Sequence, residues 1–254
     1  MKARTSLFLS AALIAMFLQF GCGASSSDGQ TRTILLPGDI PLEVVQTPRG
    51  LWFGKYEVTQ AQWEAVMGEN PSEFKGDAKP VETVSWDDCQ EFLKKLNAFP
   101  AVKESGLTFR LPTEEEWETA CRAGAPKSED YCKLADGTQI TKSNLSRVAW
   151  FGKDWDDGPT EVGKNREPNA WGLYDMHGNV WEWTQTANGV FRVYRGGSFL
   201  DSAVICAAKS LISPLENPML APPPTNAVTL TTRMGFHPAN QLDRLNIRSM
   251  PGAT

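Results

Sequence analysis

Helical periodicity in this chain ends with a short helix that starts after Pro112-Thr113. From Tyr131 onward the sequence is crowded with Gly, Asn, Asp and Trp and shows neither a 3.6-residue period nor sustained alternation. A segment of this kind forms long loops laid over a small sheet. The chain holds nine Trp, and rings of that size must either fill a core or line a recognition surface.

The first half reads differently. Ile34 to Val45 and Leu51 to Tyr56 run like strands, punctuated by Pro37-Gly38 and Pro48-Arg49-Gly50. Thr59 followed by Gln62 is a capping-box pattern, with Trp63, Val66 and Met67 at helical spacing and Gly68 as the stop. Ser85 opens a second helix, with Trp86, Cys89, Phe92, Leu93 and Leu96 on one face and Asp87 and Asp88 at the positive end of its dipole. A third begins after Pro112-Thr113, with Glu114 to Glu116 in its first turn and Trp117 facing inward. Strands and helices precede a loop-rich end, without βαβ alternation or internal repeat, so the expected class is α+β.

The N-terminus carries an address. Lys2 and Arg4 precede an apolar run from Leu7 to Phe20, shorter than the roughly 20 residues a membrane-spanning helix needs but suited to a secretory signal. The sequence Leu18-Gln19-Phe20-Gly21-Cys22 resembles a loose bacterial lipobox. We therefore expect a signal peptide at 1–21, lipidation of Cys22, a flexible tether over 22–33, and one domain over 34–254. Acyl chains would then hold the protein at the outer membrane or cell surface.

In an oxidising compartment Cys89, Cys121, Cys132 and Cys206 are possible disulfide partners. Cys89 reads as a buried thiol, and Cys121 with Cys132 is the first pair to test. The net charge of −5, with no Lys/Arg cluster, excludes a nucleic-acid partner. A monomer is expected.

Four segments together resemble the formylglycine-generating-enzyme (sulfatase-modifying-factor) family. They are Lys55-Tyr56-Glu57-Val58-Thr59 with Trp63, Pro80 to Trp86, Arg110 to Glu118, and Gly172 to Trp183. A fifth, Arg195-Gly196-Gly197-Ser198-Phe199, precedes Met234-Gly235-Phe236-His237, where the family has Gly-Phe-Arg. The resemblance implies a C-type lectin-like fold with little regular structure and a binding face near the C-terminus. Within it, Arg110 is expected to pair with a carboxylate of the following helix. Gly196-Gly197 should serve a close backbone crossing. Trp181 and Trp183 alternate about Glu182, which would put one in the core and the other near the ligand face. His177 reads as loop structure.

The resemblance also implies a structural Ca²⁺ held by the side chains of Asp175 and Glu182 and the carbonyls of Gly178 and Val180, oxygen ligands suited to a hard cation. The enzymes of the family oxidise a client cysteine with copper held by two cysteines. Those positions here are Asp201 and Cys206, and a carboxylate is a poor substitute for a soft thiolate, so no copper and no catalysis are expected. The iron-dependent relatives use histidine-rich sites, and this chain has two histidines.

Another branch with this domain comprises the variable proteins of diversity-generating retroelements. Their pattern after the Arg-Gly-Gly-Ser-aromatic motif is three varied positions, Ala, two varied positions and Cys. Here Leu200, Asp201 and Ser202 precede Ala203, and Val204 and Ile205 precede Cys206. With Ala207, Ala208 and Leu211, these are the expected ligand-contacting positions of a variable region over about 199–233, which also includes Ile212, Ala221 to Pro224 and Val228 to Leu230. The expected function is recognition of an exterior protein or glycan. The alternatives are an oxidoreductase of the formylglycine-generating type and a non-diversified structural or carbohydrate-binding lipoprotein of the same fold.

Overall fold

The fold was analysed in a computed structural model that describes residues 30–189, 191–210, 229–233 and 235–236. The expected signal peptide, Cys22 and most of the expected tether lie outside them. No helix among the described residues is long and apolar enough to cross a membrane.

Among the described residues regular structure begins at Thr31, so the last residues assigned to the tether belong to the fold. β1 (Thr31–Leu36) and β2 (Ile40–Gln46) form an antiparallel hairpin across Pro37-Gly38-Asp39. Gly38 and Asp39 both take positive φ there, which lets the short connection follow the strands' twist. β3 (Trp52–Glu57) pairs antiparallel with β2. The buried positions of β2 include Leu42 and Val44, on one face of the pleat.

α1 (Gln60–Met67) and α2 (Trp86–Leu96) start with complete capping boxes at Thr59 and Ser85. Gly68 closes α1 in the left-handed conformation at φ +87°. The two helices meet through Trp63 and Phe92, stacked 4.8 Å apart with rings 5° from parallel. A short α3 (Pro100–Glu104), which the periodicity did not reveal, leads into β4 (Thr108–Arg110). α4 (Glu114–Arg122) starts at a third capping box on Thr113.

The loop-rich half contributes β5 (Ala149–Trp150), β6 (His177–Gly178), β7 (Trp181–Asn188) and β8 (Phe191–Arg195), then β9 (Thr229–Arg233) and β10 (Gly235–Phe236). β9 lies between β3 and β4, parallel to both, in a five-stranded sheet of order β1-β2-β3-β9-β4. β10, β7 and β8 form a second, antiparallel sheet, and β5 pairs with β6. Thr229 and Leu230, inside the expected variable region, are thus strand residues.

Trp181 and Trp183 are 1% and 0% exposed and join one core cluster with the hairpin, α1 and α2. This corrects the alternation: both are core residues, because the start of β7 is covered on its two faces. A buried indole N–H needs an acceptor. Trp86 Nε1 donates to Thr184 O at 3.0 Å, Trp183 Nε1 to Val84 O at 3.1 Å, and Trp117 Nε1 to Glu182 Oε2 at 2.8 Å. At about 1 kcal/mol net for each such bond, these contacts matter chiefly by fixing how α2 and α4 sit on β7.

A clamped loop with an exposed apolar edge as candidate functional site

The backbone after β8 turns at Gly196 and Gly197, both at positive φ. A side chain at Gly197 would put its Cβ 2.6 Å from Cys206 Sγ and 3.1 Å from Cys206 Cα. The crossing of these two strands of chain therefore requires glycine. Asp201 Oδ2 then accepts from Ser198 N at 2.9 Å and from Ser198 Oγ at 2.6 Å, closing a tight turn.

Beyond that turn, carbonyl after carbonyl is held by groups outside the segment. Lys153 N donates to Phe199 O at 2.7 Å and Gly152 N to Asp201 O at 2.9 Å. The Tyr131 hydroxyl donates to Ala203 O at 2.8 Å, and His177 Nδ1 lies 2.7 Å from Cys206 O. Arg195, 2% exposed, donates from Nη1 to Ala208 O at 3.1 Å and Ser210 O at 3.0 Å, while its Nη2 binds Glu114. Residues 199–210 are thereby fixed to α4, to the 150s loop and to the β6 region.

The side chains divide accordingly. Ala203 and Cys206, the two constant positions of the pattern, are buried at 5% and 0%. Leu200, Ser202 and Val204 are exposed, and Asp201 and Ile205 are half-buried, Ile205 against the main core. Leu200 and Val204 are two of only three large apolar side chains exposed among the described residues. Two expected contact residues are corrected: Ala207 is buried in the cluster around Tyr131 and Leu145, and Ala208 is buried against Trp117 and Ala120 of α4. Leu211 and Ile212 lie outside the described residues, as do residues 221–224 and 228.

Three arginines pair with the carboxylates of α4. Arg110 binds Glu116 through two 2.7 Å hydrogen bonds, fulfilling the expected pairing. Arg122 binds Glu118 at 2.8 Å, and Arg195 binds Glu114. The Arg195 clamp was not foreseen. Its only sequence signal was the position of an arginine just before the double glycine, opposite a helix rich in carboxylates.

All four described cysteines are free and buried, so Cys121 and Cys132 are not bridged. Instead both address His177: Cys121 Sγ lies 3.5 Å from Nε2, and Cys132 N donates to Nε2 at 3.2 Å. Burial, then the neighbouring Asp201 carboxylate, push the Cys206 thiol up to about 12. In the expected calcium motif, Asp175 and Glu182 are 1% and 0% exposed. Asp175 Oδ2 accepts from Gly163 N at 2.6 Å and Glu182 Oε2 from Trp117. Among the described residues no three His, Cys, Asp or Glu side chains converge as a metal cluster.

The sulfatase-modifying factor enzyme 1-like domain model matches residues 19–216. Chaperone protein LppX of Paenibacillus barcinonensis is 32% identical over 59% of this chain and 70% of its own length. Inactive C-alpha-formylglycine-generating enzyme 2 of Bos taurus is 33% identical over 80% of this chain, which spans 60% of that protein. Among solved structures, Treponema denticola variable protein 1 superposes with a TM-score of 0.54 at 25% identity, covering 81% of this chain and 91% of that one. This likeness accords with the C-type lectin-like class and with the resemblance to treponeme variable proteins.

Proposed function

Because the chain belongs to the sulfatase-modifying factor enzyme 1-like domain family, we propose that it is a cell-envelope binding protein whose ligand meets the exposed edge formed by Leu200, Ser202 and Val204. One observation carries this reading. The backbone of 199–210 is held by Tyr131, His177 and Arg195, none of which lies in that segment, while the side chains of Leu200, Ser202 and Val204 face outward. Exposed substitutions on a clamped backbone cost little stability, so such an edge can change its contacts without losing its shape. A preorganised apolar edge also avoids much of the ordering cost of binding.

In this reading a diversity-generating retroelement rewrites the edge, and lipid on Cys22 displays it outward. Sequencing the locus in sister cells tests the first part. Substitutions confined to template adenines within codons 199–233 are expected, and an invariant locus without a nearby template repeat overturns it. Mass spectrometry of the purified protein tests the second, with acyl mass on Cys22 the expected result.

Copper does not fit these residues. Cuprous ion favours paired soft thiolates, whereas Asp201 spends its carboxylate on Ser198 and Cys206 is fully buried with its thiol protonated near neutrality. Turnover of a sulfatase-motif peptide with added copper would overturn the non-enzymatic reading. Calcium suits the donor chemistry better. Asp175 and Glu182 are buried carboxylates and, with the carbonyls of Gly178 and Val180, are the oxygen donors that would hold a hard cation.

A further inference from the structure

Trp171 stands between two open clefts that share no residue with the loop at 199–210. One has a volume of about 290 Å³ and is lined by Arg49, Glu115 and Thr119 among others. The second, about 300 Å³, is reached by Lys55 and Asn169. The indole is half-buried and packs on the core cluster around Trp117 and Leu173.

Its mounting is rigid. Asn169, 2% exposed, accepts from Trp171 N at 2.9 Å and Leu173 N at 3.2 Å and donates to Ala120 O at 2.8 Å and Cys121 O at 3.2 Å. One buried amide thus meets four backbone groups and ties the Trp171 loop to the end of α4. The next residue, Gly172, takes φ +80° to complete the turn. A large amphipathic ring fixed between two depressions is a binding platform rather than a stray surface aromatic.

We propose that these clefts bind a neutral saccharide of at least two rings, straddling Trp171. The indole offers a flat apolar face to the C–H face of a pyranose. Arg49 and Glu115 are both exposed and carry planar guanidinium and carboxylate groups, whose paired donors and acceptors match vicinal hydroxyls. Their opposite charges favour neither an anionic nor a cationic ligand. An open cleft with a mixed polar rim also offers no closed apolar chamber for a lipid chain. The site uses no cation and is independent of the varied edge.

The test uses the full chain with cellobiose, maltose, lactose and N,N′-diacetylchitobiose as probes, read by saturation-transfer NMR and calorimetry. At least one is expected to bind at millimolar or lower concentration. Trp171→Ala should weaken it at least about tenfold, while Val204→Asp leaves it unchanged. Should Trp171→Ala fail to fold, the exposed double variant Arg49→Ala with Glu115→Ala replaces it, with the same loss expected. Absence of binding by every probe, or binding that neither variant reduces, overturns the proposal. Loss on Val204→Asp alone would move the saccharide to the varied edge and equally overturn it.

Discussion

His177 Nδ1 lies 2.7 Å from the carbonyl oxygen of Cys206, and its Nε2 lies 3.2 Å from the backbone nitrogen of Cys132. A carbonyl can only accept and an amide N–H can only donate, so the ring is neutral with its proton on Nδ1. It is a two-ended strut between the 130s loop and the loop at 199–210. His177→Ala strands both backbone groups in the interior and leaves a void. We expect a loss of about 2–5 kcal/mol, measured by chemical denaturation. A loss under about 1 kcal/mol would show that the strut is dispensable.

Stability should separate the exposed positions of the loop at 199–210 from the glycine crossing beneath it. Leu200, Ser202 and Val204 replaced singly by Asn or Thr are expected to shift unfolding by no more than about 0.5 kcal/mol. Gly197→Ala must displace Cys206 and adopt φ +80°, which should cost several times more. Comparable thermal midpoints for the two sets would contradict the clamped-loop account.

Acid should reveal the Arg110–Glu116 pair. Burial works against the Glu116 charge, but the two hydrogen bonds from Arg110, with help from Thr113, outweigh it and hold the carboxyl below its ordinary range. The sign follows. The stabilisation is complete above the unfolded carboxyl pKa of about 4.3 and is lost as pH falls through the lowered folded value. Glu116→Gln should cost about 1–2 kcal/mol at neutral pH, discounted for partial exposure, and the gap to the parent should narrow below about pH 4. A gap that persists unchanged in acid would rule out the ionic contribution.

Calcium offers a fourth route to measurement. A ligand that binds only the folded state at a hundredfold excess over its Kd adds about 2.7 kcal/mol. Calcium is therefore expected to raise the melting temperature and chelator to lower it, with Asp175→Asn abolishing the response. If the parent melts identically in calcium and in chelator, Asp175 and Glu182 serve only as hydrogen-bond acceptors for Gly163 and Trp117.

Much of the fold was legible in the sequence because its signals are local. The three capping boxes at Thr59, Ser85 and Thr113 each fall where a side chain and an amide three residues apart must meet. The apolar period of α2 and the Arg110 pairing read equally well. What the sequence did not disclose was long-range. Whether both Trp181 and Trp183 are covered depends on which elements pack over each face of β7, and no period of two records that. Nor does the run Cys206-Ala207-Ala208 say where exposure ends. That limit is set by Arg195, reaching from β8 to seize two carbonyls, and by Asp130 O accepting from Ala208 N at 2.7 Å.

The place of β9 has a consequence for truncation. The strand that fills the five-stranded sheet between β3 and β4 is translated after every helix described and after the β7 and β8 strands of the second sheet. A premature stop between β8 and β9 therefore removes the middle of the sheet and leaves β4 without its neighbour. Products cut short there fail as folded proteins before they can fail as ligand binders.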